Sequence, residues 1–268
     1  LQFMLFSQEQ DLLKMALEDL MQITVTSVSK IEENSFTAAS AVYVITSEDI
    51  RRTGSRSIVD ALRHVPGLQV NQENGNAWHV GARGDDGHFN NKLLVMIDGR
   101  SVYTPAFSGV YWDVVDVHMP DVERIEIIRG PGSAIWGSNA VNGVINVITK
   151  DAKDTEGGTI QLGYGDEMWE TGMRYGFALT DEENAFLRVY TKYKDLDSLE
   201  RGKTNVKTYG GAGDEWDFHQ SGARLDWDIT NVDKLTLSTD YYSGTVNNYI
   251  DIIGDFFDQD VEGYNFLL

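Results

Sequence analysis

Cysteine is absent from the 268 residues, which excludes disulfide scaffolds, thiolate metal sites and cysteine nucleophiles. Basic residues are scarce: 22 Lys plus Arg stand against 42 Asp plus Glu, a formal net charge of −20. That balance argues against nucleic acid as a partner, because a polyanion would be repelled. Long hydrophobic runs are missing too, and no stretch approaches the ~18 consecutive apolar residues of a membrane helix. Any passage through a membrane would have to be made by β-strands. The five histidines, His64, His79, His88, His118 and His219, lack HExxH or other ligand spacing, and no Ser-His-Asp or paired-carboxylate set surrounds a nucleophile motif. With 41% hydrophobic residues the chain still has the apolar material for one large or two ordinary domains.

What is present concentrates in ERIEIIRGPGSAIWGSNAVNGVINVITK, Glu123 to Lys150. Ile125, Ile127 and Ile128, then Val144, Ile145, Val147 and Ile148, are β-branched runs bounded by glycine and read as two buried strands. Gly130, Gly132, Gly137 and Gly143 let the intervening chain turn repeatedly, and Pro131 stiffens the first turn. Gly132 and Gly137 have the spacing of a phosphate loop, but Ser138 stands where the lysine belongs and that reading fails. On its residues alone the segment is a glycine-rich connection in a sheet.

The same run resembles, almost residue for residue, the end of the plug domain of TonB-dependent outer-membrane receptors. Four further blocks follow in the family's order: AVYVITSEDIRRTG (Ala41 to Gly54), SIVDALRHVPGLQV (Ser57 to Val70), VGARG (Val80 to Gly84) and LLVMIDGRSVY (Leu93 to Tyr103). The resemblance implies an N-terminal segment over 1–40, an α+β plug with a small mixed sheet over 41–150, and part of an antiparallel transmembrane β-barrel over 151–268. It implies a receptor in the outer membrane of a Gram-negative-type bacterium that imports a metal complex and catalyses no reaction. A ferric siderophore is the first expectation for the cargo, and cobalamin or another nutrient the second. A soluble plug-like binding or signalling module is the alternative of another class.

The opening LQFMLFSQEQ reads either as the tail of a secretory signal or as a frayed terminus. Leu13, Leu17, Leu20 and Met21 then mark one face of a short amphipathic helix. Ile23, Thr24, Val25, Thr26, Ser27 and Val28 form an extended segment similar to the TonB box, the strand through which such receptors engage the energy-transducing TonB protein. A strand with free backbone groups can add to a partner's sheet edge. The acidic residue that usually precedes the box is missing, since Met21 and Gln22 stand there, and an ordinary edge strand is the alternative.

Within the plug region, strands are expected around Val42 to Ile45, Leu68 to Val70, Trp78 to Arg83 and Leu93 to Ile97. Ser47, ahead of Glu48 and Asp49, is expected to cap one helix, and Ser57 to cap another through His64 that Pro66-Gly67 ends. By resemblance, Arg83, Gly84, Glu123, Arg124, Arg129 and Gly130 seat the plug in the barrel, with Arg83 and Arg129 facing carboxylates. Without the resemblance the two arginines are turn residues. The loops Asn71 to His79 and Arg100 to Trp112 correspond to ligand-facing apices, where Asn74, Asn76, Trp78, Arg100, Tyr103, Phe107, Tyr111 and Trp112 would supply aromatic surface and a cation for an anionic chelate. The aromatics read equally well as core.

After Asp151 apolar and polar residues alternate. Ile160, Leu162 and Tyr164; Met173, Tyr175, Phe177 and Leu179; Leu187, Val189 and Tyr193; Leu225, Trp227 and Ile229; and Leu235, Leu237 and Tyr241 mark about five strands of period two, near the ~10-residue length of transmembrane strands. A sixth is expected at Gly263 to Leu268. Thr180 to Asn184 and Thr230 to Asp233 would be periplasmic turns and Asp195 to Gln220 a long extracellular loop. Because plugged transporters need ~22 strands, the resemblance implies a barrel that continues beyond this sequence. Asp195, Asp197, Asp214, Glu215 and Asp217 occupy a loop where cobalamin-transporting relatives bind calcium, and Asp258 to Gly263 imitates the start of a calcium loop with Glu262 at its fifth position. A solvated acidic loop is the other reading. No intrinsic cofactor is otherwise expected.

Overall fold

A computed structural model describes residues 24–25, 27, 33–34, 41–84, 90–104, 108–130, 132–137, 139–197, 214–250 and 255–268. The expected helix at Leu13 to Met21, together with Ile23, Thr26, Val28 and Phe107, lies outside them. The first half carries β1 (Thr24–Val25), β2 (Glu33–Asn34), β3 (Val42–Thr46), α1 (Ser47–Thr53), α2 (Ile58–Leu62), β4 (Leu68–Gln72), β5 (Trp78–Ala82), β6 (Leu93–Ile97), β7 (Arg100–Ser101), β8 (Val122–Ile128), α3 (Ser133–Trp136) and β9 (Gly143–Thr149). The second carries β10 (Gly157–Tyr164), β11 (Met168–Ala178), β12 (Ala185–Leu196), β13 (Trp216–Asp228), β14 (Lys234–Ile250) and β15 (Asp255–Leu267).

The nearly unbroken apolar runs of β6 and β9, with β8 and its Ile125, Ile127 and Ile128, belong to a mixed sheet covered on both faces. Its order is β3-β8-β9-β6-β7, with β6 parallel to β9 and the other pairs antiparallel. Strand alternation sorts the side chains into two cores. Ile45, Val95, Ile125, Ile127, Ile145 and Val147 pack with Ile50, Ile58 and Leu62 of the helices on one face. Leu94, Met96, Ile128 and Val144 pack with Val25 and Ala140 on the other. β4 and β5 form a separate antiparallel hairpin.

Both helices begin near their expected caps. Thr46, not Ser47, caps α1, because its hydroxyl accepts from the Asp49 amide while the Asp49 carboxylate accepts from the Thr46 amide, a reciprocal capping box. Ser57 does cap α2, which ends at Leu62 rather than His64.

β10 to β15 form a continuous antiparallel sheet in sequence order, six strands where the residue pattern marks five and a short sixth. β12 runs to Leu196, β13 starts at Trp216 and β15 starts at Asp255. Each therefore takes in polar residues expected to lie in a loop, since ladder hydrogen bonds extend a strand past its apolar part. The same extension places Asp258 to Gly263 inside β15, a strand and not a calcium loop. The tight links expected at Thr180 to Asn184 and Thr230 to Asp233 are present, closed by Thr180 and Thr230 hydroxyls on Asn184 and Asp233. One face of this wall points away from the first domain and exposes Leu162, Met173, Tyr175, Leu179, Trp227 and Phe266. The opposite face carries Arg174, Arg188, Lys192, Lys194, Gln220 and Arg224, which the first domain covers.

Candidate functional site at the plug–wall joint

The covered face of the wall supplies cations, and the first domain meets them with carboxylates. At the end near the short links, Arg224 donates to Asp151 at 2.7 Å and to the Thr149 hydroxyl at 2.9 Å. Lys234 donates to the other Asp151 oxygen at 2.8 Å. Thr149, the last residue of β9, passes the contact inward by donating its amide and hydroxyl to Asp98, each at 2.8 Å. Burial raises the Asp98 pKa against the opposing pull of the Thr149 hydrogen bonds and Arg224. One level up, Asp121 faces Arg174 at 3.1 Å and Arg188 at 3.5 Å. Arg188 also donates to the Lys150 carbonyl at 2.8 Å.

Above these sits His118, buried at 3% exposure and stacked on Tyr190 with ring centroids 5.9 Å apart. Gly172 makes room for it: a Cβ there would lie 3.0 Å from the His118 ring. Burial pushes the His118 pKa down to about 4, with Lys192, Arg174 and Arg188 adding to the effect and Asp121 opposing it. Two residues earlier, Asp116 accepts from Lys194 at 2.5 Å and pairs with Lys192 at 2.8 Å. Burial alone would raise its pKa, but the two ammonium groups outweigh that and hold it at about 2. Gln220 donates to the Asp116 carbonyl at 3.2 Å.

A cavity of roughly 360 Å³ opens beside this column. It brings together three of the expected ligand contacts, Arg100, Tyr103 and Tyr111, with Asp240 and Tyr242 of the wall. The Tyr103 hydroxyl donates to the Leu93 carbonyl at 2.8 Å, and burial pushes its pKa up to about 12. Trp78 and Trp112 pack against the main core, Trp78 with the Arg63 guanidinium 4.5 Å above its ring. Asn74 and Asn76 are engaged at the β4–β5 tip. The Asn74 side chain accepts from the Asn76 and Ala77 amides, and Asn76 donates to the Asn247 carbonyl at 3.0 Å.

Arg83, Arg124 and Arg129 make their described hydrogen bonds within the first domain. Arg83 donates to the Arg129 carbonyl at 3.4 Å, and Arg129 to the Pro66 carbonyl at 2.9 Å, both within the first domain. Arg124 bridges Glu123 at 2.6 Å and Glu126 at 2.8 Å. Gly84 follows Arg83 with φ +79°, and Gly130 follows Arg129 at the end of β8. Among the described residues, the joint with the six-strand wall is made by other side chains. Asp98, Asp116 and Asp121 of the first domain, and Asp151 where it meets the wall, face wall arginines and lysines. Their signal was in the alternation itself, since Arg188, Lys192 and Lys194 stand on the face opposite the apolar residues and a buried cation needs an anion.

The box-like segment is extended at Thr24–Val25 and pairs with Glu33–Asn34. At the described residues Thr24, Val25 and Ser27 its backbone is engaged. Val25 is fully buried in the second core. The Ser27 amide donates to Glu126 at 2.8 Å, its hydroxyl accepts from Asn146 at 3.1 Å, and its carbonyl accepts from Trp136 at 2.6 Å. Among the described residues no three His, Asp or Glu side chains gather to hold a metal. Of the loop acids, Asp195 accepts from the Tyr193 hydroxyl at 3.2 Å and Asp214 from the Gly75 amide at 2.6 Å.

A mixed-sheet globule held by buried ion pairs on the polar face of an antiparallel wall defines the class. Residues 34–144 match the TonB-dependent receptor plug domain. Over 143 residues the chain is 33% identical to the vitamin B12 transporter of Vibrio vulnificus (strain CMCP6), a match covering 53% of this chain and 23% of that protein. The ferripyoverdine receptor of the outer membrane of Pseudomonas aeruginosa superposes with a TM-score of 0.67 at 19% identity, covering 90% of this chain and 33% of that one. The alcaligin outer-membrane receptor of Bordetella pertussis superposes with a TM-score of 0.68 at 16% identity, covering 91% and 38%. The matched part is thus between about a quarter and two fifths of each relative's length. Residues 34–144 are a TonB-dependent receptor plug domain, and the chain has the fold of the TonB-dependent outer-membrane receptors, plug followed by wall strands.

Proposed function

We propose that this chain is the plug and leading barrel wall of an outer-membrane receptor that imports a metal chelate, a ferric siderophore or a corrinoid, using force from the TonB energy-transducing protein. The observation that carries the reading is the two-faced wall. One face exposes Trp169, Met173 and Tyr175 of β11 and Leu179 just past its end, while the other is cationic and sealed by plug carboxylates. A soluble sandwich would cover the apolar face, whereas a bilayer accepts it. The polar arrangement supports transport and not catalysis, because its charges are spent on seating the plug. Chelate would meet the aromatic and cationic residues around Arg100, Tyr103 and Tyr111. The segment beginning at Thr24 would be the strand that the coupling protein pulls.

The likeness to a vitamin B12 transporter spans 23% of that protein, so it does not choose between cargoes. Uptake of radiolabelled ferric chelates and of cyanocobalamin, by cells with and without the energy-transducing protein, tests cargo and coupling together. A Val25→Pro variant removes a backbone donor and should abolish uptake while leaving ligand binding intact. Unchanged uptake in that variant would remove the segment from the mechanism. Uptake of neither class would overturn the receptor reading.

A further inference from the structure

The tip of the β4–β5 hairpin is wedged between the two strand ends that border the long β12–β13 connection. Glu73 and Ala77 close the turn, the Glu73 amide donating to the Ala77 carbonyl at 2.9 Å. At its apex the Gly75 amide donates to an Asp214 oxygen at 2.6 Å, and the Gly75 carbonyl accepts from the Trp216 indole at 3.2 Å. Asn76 adds its hydrogen bond to the Asn247 carbonyl on β14, and the Asn247 amide returns one to the Glu215 carbonyl at 3.0 Å. Gly75, Asn76 and Asp214 are all buried. Glycine is required at the apex by space: a Cβ would lie 2.6 Å from the Asp214 carbonyl and 3.0 Å from Leu196. Leu196 and Trp216 are themselves register partners at the neck of the connection.

We propose that Asp214 is a positioning residue: its carboxylate holds the plug hairpin against the facing ends of β12 and β13, so that the hairpin tip and the start of β13 open together. The carboxylate is a stronger acceptor than a neutral group. The placement bears on uptake only if the receptor reading holds, but the clasp itself does not depend on it.

Hydrogen–deuterium exchange on the full-length protein in detergent micelles tests it. Asp214→Ala should speed exchange of the 73–77 amides at least tenfold and leave Ile145, in the centre of the plug sheet, unchanged. Asp214→Asn keeps a carbonyl acceptor and should stay within about threefold of the parent, since a neutral acceptor retains roughly half the strength of a charged one. Gly75→Ala should reciprocally speed exchange at Trp216 to Phe218. Unchanged 73–77 protection in Asp214→Ala overturns the proposal. So does an equal loss in Asp214→Asn, or a loss that spreads through the plug sheet, which would make Asp214 a general stability residue. None of these readouts uses uptake, so failure of the clasp and failure of the receptor reading are distinguishable.

Discussion

The indole of Trp136 donates to the Ser27 carbonyl at 2.6 Å, tying the glycine-rich segment to the N-terminal strand. Ser27 is 1% exposed, and Glu126 and Asn146, register partners on β8 and β9, grip its amide and hydroxyl from the sheet. Trp136→Phe keeps an aromatic ring in place but removes the donor. A neutral hydrogen bond of this kind contributes about 1 kcal/mol, so local opening at Ser27 should become roughly fivefold more frequent. Hydrogen exchange at the Ser27 amide reads this directly. Unaltered exchange would show that the sheet residues alone hold the strand.

Asp116 is shared by two lysines in a buried site, and its removal leaves both charges without this partner. Asp116→Ala should destabilise the protein by about 3–5 kcal/mol, measured by denaturant titration. Removing the lysines as well, in Asp116→Ala/Lys192→Met/Lys194→Met, should recover most of that loss, because the penalty lies in the unpaired charge. A triple variant as unstable as the single one would place the cost in packing instead.

The joint should loosen in acid in two stages. His118 takes a proton at about 6.5 when unfolded but only near 4 when buried at the joint. Between those values the unfolded chain binds the extra proton, so this group's contribution is complete above pH 6.5 and falls as pH drops toward 4. Asp116 follows, because its folded value of about 2 lies below the ordinary 3.8, and its contribution is lost as pH falls through that interval. Denaturation midpoints measured against pH should show both stages, and His118→Leu should flatten only the upper one. An unchanged upper slope in that variant would assign it to another histidine.

Most of the plug was readable from residue types because burial on both faces leaves β6 and most of β9 apolar and gives β8 its Ile125, Ile127 and Ile128, and because Ser57 and Pro66-Gly67 mark local chemistry. The cap of α1 fell one residue early because Thr46 and Ser47 are both competent hydroxyls, and only the position of Asp49 decides between them. Wall strands showed their period wherever one face is apolar. Their ends did not, since Asp195, Asp217 and Asp260 lie on polar stretches that only the neighbouring strand keeps extended. The joint was the least visible part. Asp116, Asp121 and Asp151 are ordinary acidic residues in a chain with 42 of them, and their partners are 50 to 80 residues away. Arg83 and Arg129 drew attention as local Arg-Gly motifs, whereas the pairs that hold the six-strand wall are set by tertiary register.

The exposed face of the wall predicts how charge should be tolerated along a single strand. From Trp169 on β11 to Leu179, one residue past its end, the outward positions span about ten residues, which at ~3.3 Å rise and a tilt near 40° cover roughly 25 Å, the height of a transmembrane barrel's apolar band. Met173 lies near the middle of that span and Leu179 at its rim, although the two are similarly exposed, at 52% and 49%. In water, Arg at either position should be equally harmless. In a bilayer, Met173→Arg should cost about 2–4 kcal/mol and Leu179→Arg about 0–1 kcal/mol, because the rim residue can reach the headgroups and the central one cannot. Denaturant titrations of the full-length protein in phospholipid vesicles would separate the two cases. Equal tolerance at both positions would mean that this face does not meet lipid, and the outer-membrane assignment would have to be abandoned.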